Sequence, residues 1–290
     1  MSEYYCLTSS LKELNLDGDA KELNLDLVFE EIEGSLAMKD GALYRDFKTQ
    51  YDIQNIISLI NGRSMYITMG NLPQSAVEAV VESFKSDKND ASFEEGEFFG
   101  LDKVVIDVLR AYKNSITASE LEINTSLPIE NILQTQYFRK MSTVKSAFLR
   151  KWFQFDLDMR NICSAFTARA KQRDITSIVV GEGDIQSLLV SSAAADFGLK
   201  GVFDYSDELF ATLSMEDMLQ KERKLDDIRW DKIDELVTFD YFNIEVILSY
   251  VAKVAIINRW LMLDEKVGRE MLRKLTDDLA KNKLNFEIID

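Results

Sequence analysis

Apolar residues recur along most of the chain at steps of three and four, the period that lines one face of an α-helix. The clearest run extends from Leu133 to Ala170 through Tyr137, Met141, Val144, Phe148, Trp152, Phe155, Met159, Ile162 and Phe166. Its mean step is about 3.7 residues, closer to a straight helix than to the 3.5 of a left-handed coiled coil. No proline or glycine falls between Pro128 and Gly181. The pattern therefore predicts one long helix, or two end to end. Unbroken from Leu133 to Ala170, it would measure on the order of 60 Å. Phe148, Trp152, Phe155, Met159 and Phe166 are expected to form one buried stripe along it.

The other segments follow the same logic. Asp26 is expected to cap a helix that stops near Gly41, and a second helix should span about Ala42 to Ile60, ended by Gly62. Pro73 suits a first helical position and opens a helix to about Phe84. Residues 86 to 100 show no period. They read as a loop, either solvated with Phe98 and Phe99 tucked into the core or docking a partner. A helix runs from Leu101 to about Ser115, and Thr117 to Pro128 is a loop or a short helix. Gly181 to Gly183 forms a turn, and Asp184 caps a helix that Gly198 ends. Helices follow near 205 to 212, 215 to 237 and 242 to 263, with Ser214 and Asp217 spaced like a capping box. Asp264 is expected to cap a final helix ending near Asn282. Residues 4 to 25 mix apolar residues with Asn, Asp and Gly, and EYYCLTSSL within or beside them fits either a short strand or the end of an exposed segment.

Only 2 prolines and 12 glycines occur in 290 residues, which reinforces an all-α fold. The chain reads as one elongated, multi-helical unit over residues 1–290, with sub-units about 1–100, 101–200 and 201–290. A short motif suggests repetition. Asp52-Ile53-Gln54-Asn55-Ile56 recurs as Asp158-Met159-Arg160-Asn161-Ile162, and a third apolar helix lies within 242 to 264. In each copy the Asp and Asn lie one turn apart on one helix face. They serve either local hydrogen bonding that orients two helices or a polar patch facing a partner.

Charge and chemistry narrow the function. A formal net charge of -16 opposes nucleic acid and direct insertion into anionic lipid, and favours basic or apolar partners. The absence of histidine removes the usual general base and the commonest metal ligand. Cys6 and Cys163 stand alone, as in a reduced, cytosolic chain. The start, MSEYYCLTSS, lacks the basic and apolar stretches of a signal peptide. The most apolar run, near Val246 to Ile257, is broken by Lys253 and is too short to span a bilayer. Asp196-Phe197-Gly198 spells a kinase metal motif without the companion loops, and reads as a helix C-terminus. Gly181-Glu182-Gly183 lacks the further glycine and Lys-Ser/Thr of a phosphate cradle. No catalytic residue, cofactor or metal ligand is expected. Arg160, Arg169 and Arg173 form a basic strip in an acidic chain, serving either salt bridges to neighbouring helices or an interface for an acidic partner.

The stretch WFQFDLDMRNICSAFTARAKQRDITSIVVGEGDIQSLLVSSAAADFGL, with YFNIEVILSYVAKVAIINRWLMLDEKVGREMLRKL and the N-terminal EYYCLTSSLKELNL, resembles an uncharacterised bacterial family found with V-type ATPase genes. That family is in turn remotely similar to the C (d) subunit of V/A-type ATPases through the Asp-x-x-Asn helices and the Arg169 segment. The resemblance implies an all-helical, pseudo-repeated fold and a non-catalytic adaptor between the central-shaft subunits and the membrane ring, acting in ion transport. It implies a cytoplasmic protein, peripheral to the inner membrane through the complex. Segment 86 to 100 departs from that pattern. The competing expectations are a stand-alone scaffold for protein–protein interaction and, behind it, an enzyme using carboxylates and a divalent metal.

Overall fold

A computed structural model describes residues 3–16, 24–85 and 100–263. Among these residues the chain forms twelve α-helices and no strand, arranged as an elongated multi-helical bundle. In order they are α1 (Tyr5–Ser10), α2 (Leu25–Ser35), α3 (Met38–Ile60), α4 (Gln74–Lys85), α5 (Lys103–Lys113), α6 (Ser115–Glu120), α7 (Ile129–Met141), α8 (Ala147–Ala170), α9 (Asp184–Ser191), α10 (Ser206–Leu213), α11 (Met218–Leu236) and α12 (Ile244–Leu263). One apolar cluster runs through the bundle from Tyr4 to Ile256. Helix α8 lies at its centre and packs against α7, α9, α11 and α12. Phe148, Trp152, Phe155 and Met159 are buried as the period predicted, while Phe166 is half-buried.

The expected run from Leu133 to Ala170 is two helices. It breaks at Ser142 to Ser146, where hydroxyls compete with the helix for backbone partners. Ser142 Oγ and Thr143 Oγ1 donate back to Arg139 O and Lys140 O, each at 2.8 Å. Ser146 then caps α8, its Oγ accepting from Leu149 N–H at 3.0 Å. Glu245, in the first turn of α12, reinforces that cap. It accepts from Ser146 Oγ at 2.5 Å and Phe148 N–H at 2.9 Å, placing a carboxylate at a positive helix end. Apolar spacing passes through the break because both helices bury their faces in the same core.

Other boundaries also differ from the sequence reading. Residues 5–10 are helical and not a strand, with Tyr5, Cys6, Ser9 and Ser10 exposed and Leu7 buried. The cap of α2 is Asn24, whose Oδ1 accepts from Leu27 N–H at 3.3 Å, and not Asp26. The break before α3 comes at Leu36 and Ala37, so Gly41 lies inside α3. The buried Tyr4 hydroxyl fixes that break by accepting from Ala37 N–H at 3.2 Å and donating to Asp40 Oδ2 at 2.5 Å. Tyr4 N–H in turn donates to Phe242 O at 2.6 Å, and the Tyr5 and Phe242 rings meet at 4.5 Å. Helix α9 stops at Ser191, short of Gly198, and Gly183, not Asp184, is its N-cap. Asp196-Phe197-Gly198 is a separate turn, with Gly198 at φ +72° and its N–H on Asp196 Oδ1. Asp217 alone caps α11, accepting from Gln220 N–H at 3.0 Å, while Ser214 ends α10. The loop expected at 86 to 100, apart from Gly100, and the final helix expected from Asp264 lie outside the described residues.

Candidate functional site

The two Asp-x-x-Asn motifs sit on the two longest helices among the described residues, α3 and α8, and the Asp and Asn of both are buried. Each Asn uses its whole amide to close a ring with one backbone residue of the segment that leaves the helix. Asn55 Nδ2 donates to Ile67 O at 2.9 Å and Oδ1 accepts from Ile67 N–H at 2.7 Å. Asn161 makes the same pair with Val180, at 2.8 and 2.9 Å. Paired bonds of this kind satisfy buried backbone groups that have no secondary structure to do so. The local hydrogen-bonding reading of the motif is therefore the one the geometry supports.

The aspartates diverge. Asp52 takes three donors from the turn before α4: Oδ1 accepts from Asn71 and Leu72 N–H at 2.8 and 3.0 Å, and Oδ2 from Asn71 Nδ2 at 2.9 Å. Gly70 lets that turn come so close, because a side-chain carbon there would collide with Asp52 Oδ1. Asp158 receives only two neutral amides, Gln154 Nε2 on Oδ2 and Gln186 Nε2 on Oδ1, both at 3.0 Å. A side-chain carbon at Gly183 would sit 2.7 Å from Gln186 Oε1. Burial raises both carboxyl pKa values above the usual carboxylate range. Asp52 is partly relieved by its own hydrogen bonds and by nearby Lys48, whereas Asp158 has its two glutamines.

Asp158 lines a cleft of about 570 Å³ between α8, α9, the 202–205 segment and the end of α11. Phe155, Phe203 and Tyr205 make one wall, with ring centroids 5.5 and 5.6 Å from Phe155. On the rim Lys232 Nζ donates to both Glu235 oxygens at 2.9 Å, and Tyr205 Oη donates to Glu235 Oε2 at 3.0 Å. The Lys232 bond holds the Glu235 carboxyl below its ordinary value.

The three arginines of the basic strip play separate roles. Arg160 pairs with buried Asp156 at 2.7 Å. Asp156 belongs to a charge network joining α8, α11 and α12. Arg229 reaches Asp156 at 3.5 Å and Asp226 at 3.1 Å, and Asp226 also binds Arg259 and accepts from Trp260 Nε1 at 2.7 Å. Arg169 is a structural clamp: its guanidinium donates to Ser192 O at 2.7 Å and to Ala194 O, and stacks 3.5 Å from the Phe197 ring centre. Arg173 is exposed. Gln186, Gly70, Glu245 and Asp226 did not stand out in the sequence, because each acts on a partner far along the chain. Among the described residues, no group of three or more His, Cys, Asp or Glu is arranged to hold a metal ion, and no helix is long and apolar enough to cross a membrane.

Fold and site define, among the described residues, an all-helical arrangement in which α3 and α8 are each closed onto the segment after them by an asparagine clasp. The chain belongs to the family described as protein of unknown function DUF2764, whose model matches residues 1–283. An uncharacterized protein of Chlamydia muridarum (strain MoPn / Nigg) is 24% identical over 281 residues, covering 94% of this chain and 97% of that protein. One from Chlamydia trachomatis serovar D is 25% identical over 255 residues, covering 84% and 88%. No solved structure matches.

Proposed function

We propose that the chain is a non-catalytic helical adaptor of a V-type ATPase or ATP synthase, joining the central-shaft subunits to the membrane ring. The observation that carries this reading is the repeated clasp. Two helices of 23 and 24 residues each bind the following segment through the same Asn ring and an adjacent Asp. Such cross-braced helices suit a part that passes torque by packing, and the repeated device agrees with pseudo-repeated units. The resemblance noted in the sequence supplies the identity of the partner. In this reading the protein is cytoplasmic, peripheral to the inner membrane through the complex, and Arg160 and Arg173 keep exposed surface for a partner.

The test is binding of the purified full chain to the shaft subunits and to the membrane ring. Co-elution at low salt that weakens as ionic strength rises is expected for a charge-assisted encounter. Folded protein that binds neither at low salt rules out the adaptor. A stand-alone interaction scaffold is the second reading. It is favoured by an exposed aromatic rim in which Phe239, Tyr241, Tyr5 and Phe242 are 90%, 68%, 52% and 40% exposed, since clustered aromatics on a surface mark docking sites.

A further inference from the structure

We propose that the cleft over Asp158 binds a cationic side chain of a partner polypeptide, arginine foremost, with Asp158 as its counter-ion. The argument starts from the two Asp-x-x-Asn copies. In the first, the protein's own turn supplies three donors to Asp52, and the carboxylate is enclosed by its own chain. In the second, the equivalent carboxylate is 6% exposed, lines a cleft, and has one neutral donor on each oxygen. A carboxylate offers about four acceptor sites, so Asp158 keeps capacity beyond its two glutamines.

Of the three cations lining this cleft, exposed Lys151 forms no salt bridge with Asp158, and Arg150 and Lys232 are directed elsewhere. Arg150 donates to Val144 O and Lys145 O at 2.6 and 3.0 Å, and Lys232 is bound to Glu235. Among the described residues Asp158 forms no salt bridge. A buried carboxylate is costly unless a cation pairs with it, and the raised carboxyl pKa of Asp158 reflects that cost. An arriving guanidinium offers a planar fork that matches two carboxylate oxygens. Its aliphatic stem would lie along Val202 and Ile185, and Asp204 offers a second acid on the same cleft. At about 570 Å³ the cleft falls within the range of ligand sites and admits a side chain with its flanking backbone. The net charge of -16 draws basic partners toward the surface. This inference does not depend on the partner being a rotary ATPase.

The experiment titrates N-acetyl-arginine methylamide into the full chain and follows the side-chain amide signals of Gln154 and Gln186 by NMR. N-acetyl-citrulline methylamide, which has the same shape without the charge, and spermidine are titrated in parallel. At millimolar ligand the arginine compound should move both amide signals, and the citrulline compound should not. Asp158→Asn should weaken the response at least about 10-fold, the effect of losing roughly 1.4 kcal/mol of attraction. Val202→Trp, at a position 51% exposed on the cleft wall, should block it while leaving Asp158 and its glutamines intact. An equal response to citrulline, or no response to arginine, overturns the proposal. So does arginine binding that survives both substitutions. A stronger response to spermidine than to arginine assigns the cleft to a free amine and overturns the polypeptide partner.

Discussion

Replacing Asn161 with Ala tests whether the clasp holds the helices together. The substitution removes both bonds to Val180 and leaves the Val180 N–H and C=O without the partner that satisfies them. Asn161 is 2% exposed and Val180 9%, so water has poor access to either group. Each buried, unsatisfied backbone group costs about 1–3 kcal/mol. The sum is about 2–6 kcal/mol, a large share of the stability of an ordinary domain. Asn55→Ala removes the equivalent pair at Ile67, which is only partly buried. Water can replace part of that loss, so about 1–2 kcal/mol is expected there. Urea unfolding of both variants and the parent gives the two costs, and hydrogen exchange at the Val180 amide reports the local opening. A cost below about 0.5 kcal/mol for Asn161→Ala, or a larger cost for Asn55→Ala, would refute the clasp as a stabilising device.

Further outcomes are expected. Asp52→Asn should cost about 1–3 kcal/mol, because its new amide would face Asn71 Nδ2, which is also held by Arg45 O; Asp158→Asn should be near neutral in urea unfolding at about pH 4, where the carboxyl holds its proton in the folded state, since a glutamine can flip to accept from it. Burial makes the folded protein hold the Asp158 proton more tightly than the unfolded chain, so this group lowers stability as pH rises from about 4 through its raised value; the stability of Asp158→Asn relative to the parent should climb across that window, and a flat difference would remove the buried-charge argument. Arg169→Glu should destabilise by about 2–3 kcal/mol by breaking the clamp on Ser192 and Ala194, whereas exposed Arg173→Glu should change thermal unfolding by less than about 0.5 kcal/mol. Trp152→Ala should cost about 3–5 kcal/mol in urea unfolding, since the ring is 6% exposed within the core. Burial pushes the Cys163 thiol up to about 11, so mass spectrometry should find maleimide on exposed Cys6 well before Cys163 at neutral pH.

Much of the bundle was legible because its signal is local. The three-and-four spacing located α7 and α8 and placed Phe148, Trp152, Phe155 and Met159 inside. Helices α10 to α12 also fall close to their expected spans. Boundaries were less legible, because several are set by distant groups. The break before α3 depends on Tyr4, the end of α9 on Arg169, and the start of α8 on Glu245. No spacing rule connects residues roughly 20 to 100 positions apart. The Asp-x-x-Asn pair was visible as a motif, but its function was not. Asn55 and Asn161 bind backbone, which leaves no trace in side-chain identity, and the contrast between Asp52 and Asp158 arises from Asn71, Leu72 and Gln186 in following segments. The basic strip looked like one feature in the sequence, yet Arg169 points its charge at carbonyls of its own chain.

The bond from Tyr4 to Phe242 carries a consequence for how the molecule is made. Most contacts in a helical protein join near neighbours in sequence and form early. Here Tyr4, just before α1, is fastened to the link before α12, and its hydroxyl sets the turn into α3. A ribosome releasing the chain from its N-terminus delivers Tyr4 long before Phe242. Until the α12 segment emerges, the Tyr4–Phe242 bond and the Tyr5–Phe242 ring contact cannot form. The nascent chain therefore keeps this bond open while the more than 230 residues between Tyr4 and Phe242 are made, and the bundle closes here only once the α12 segment has emerged.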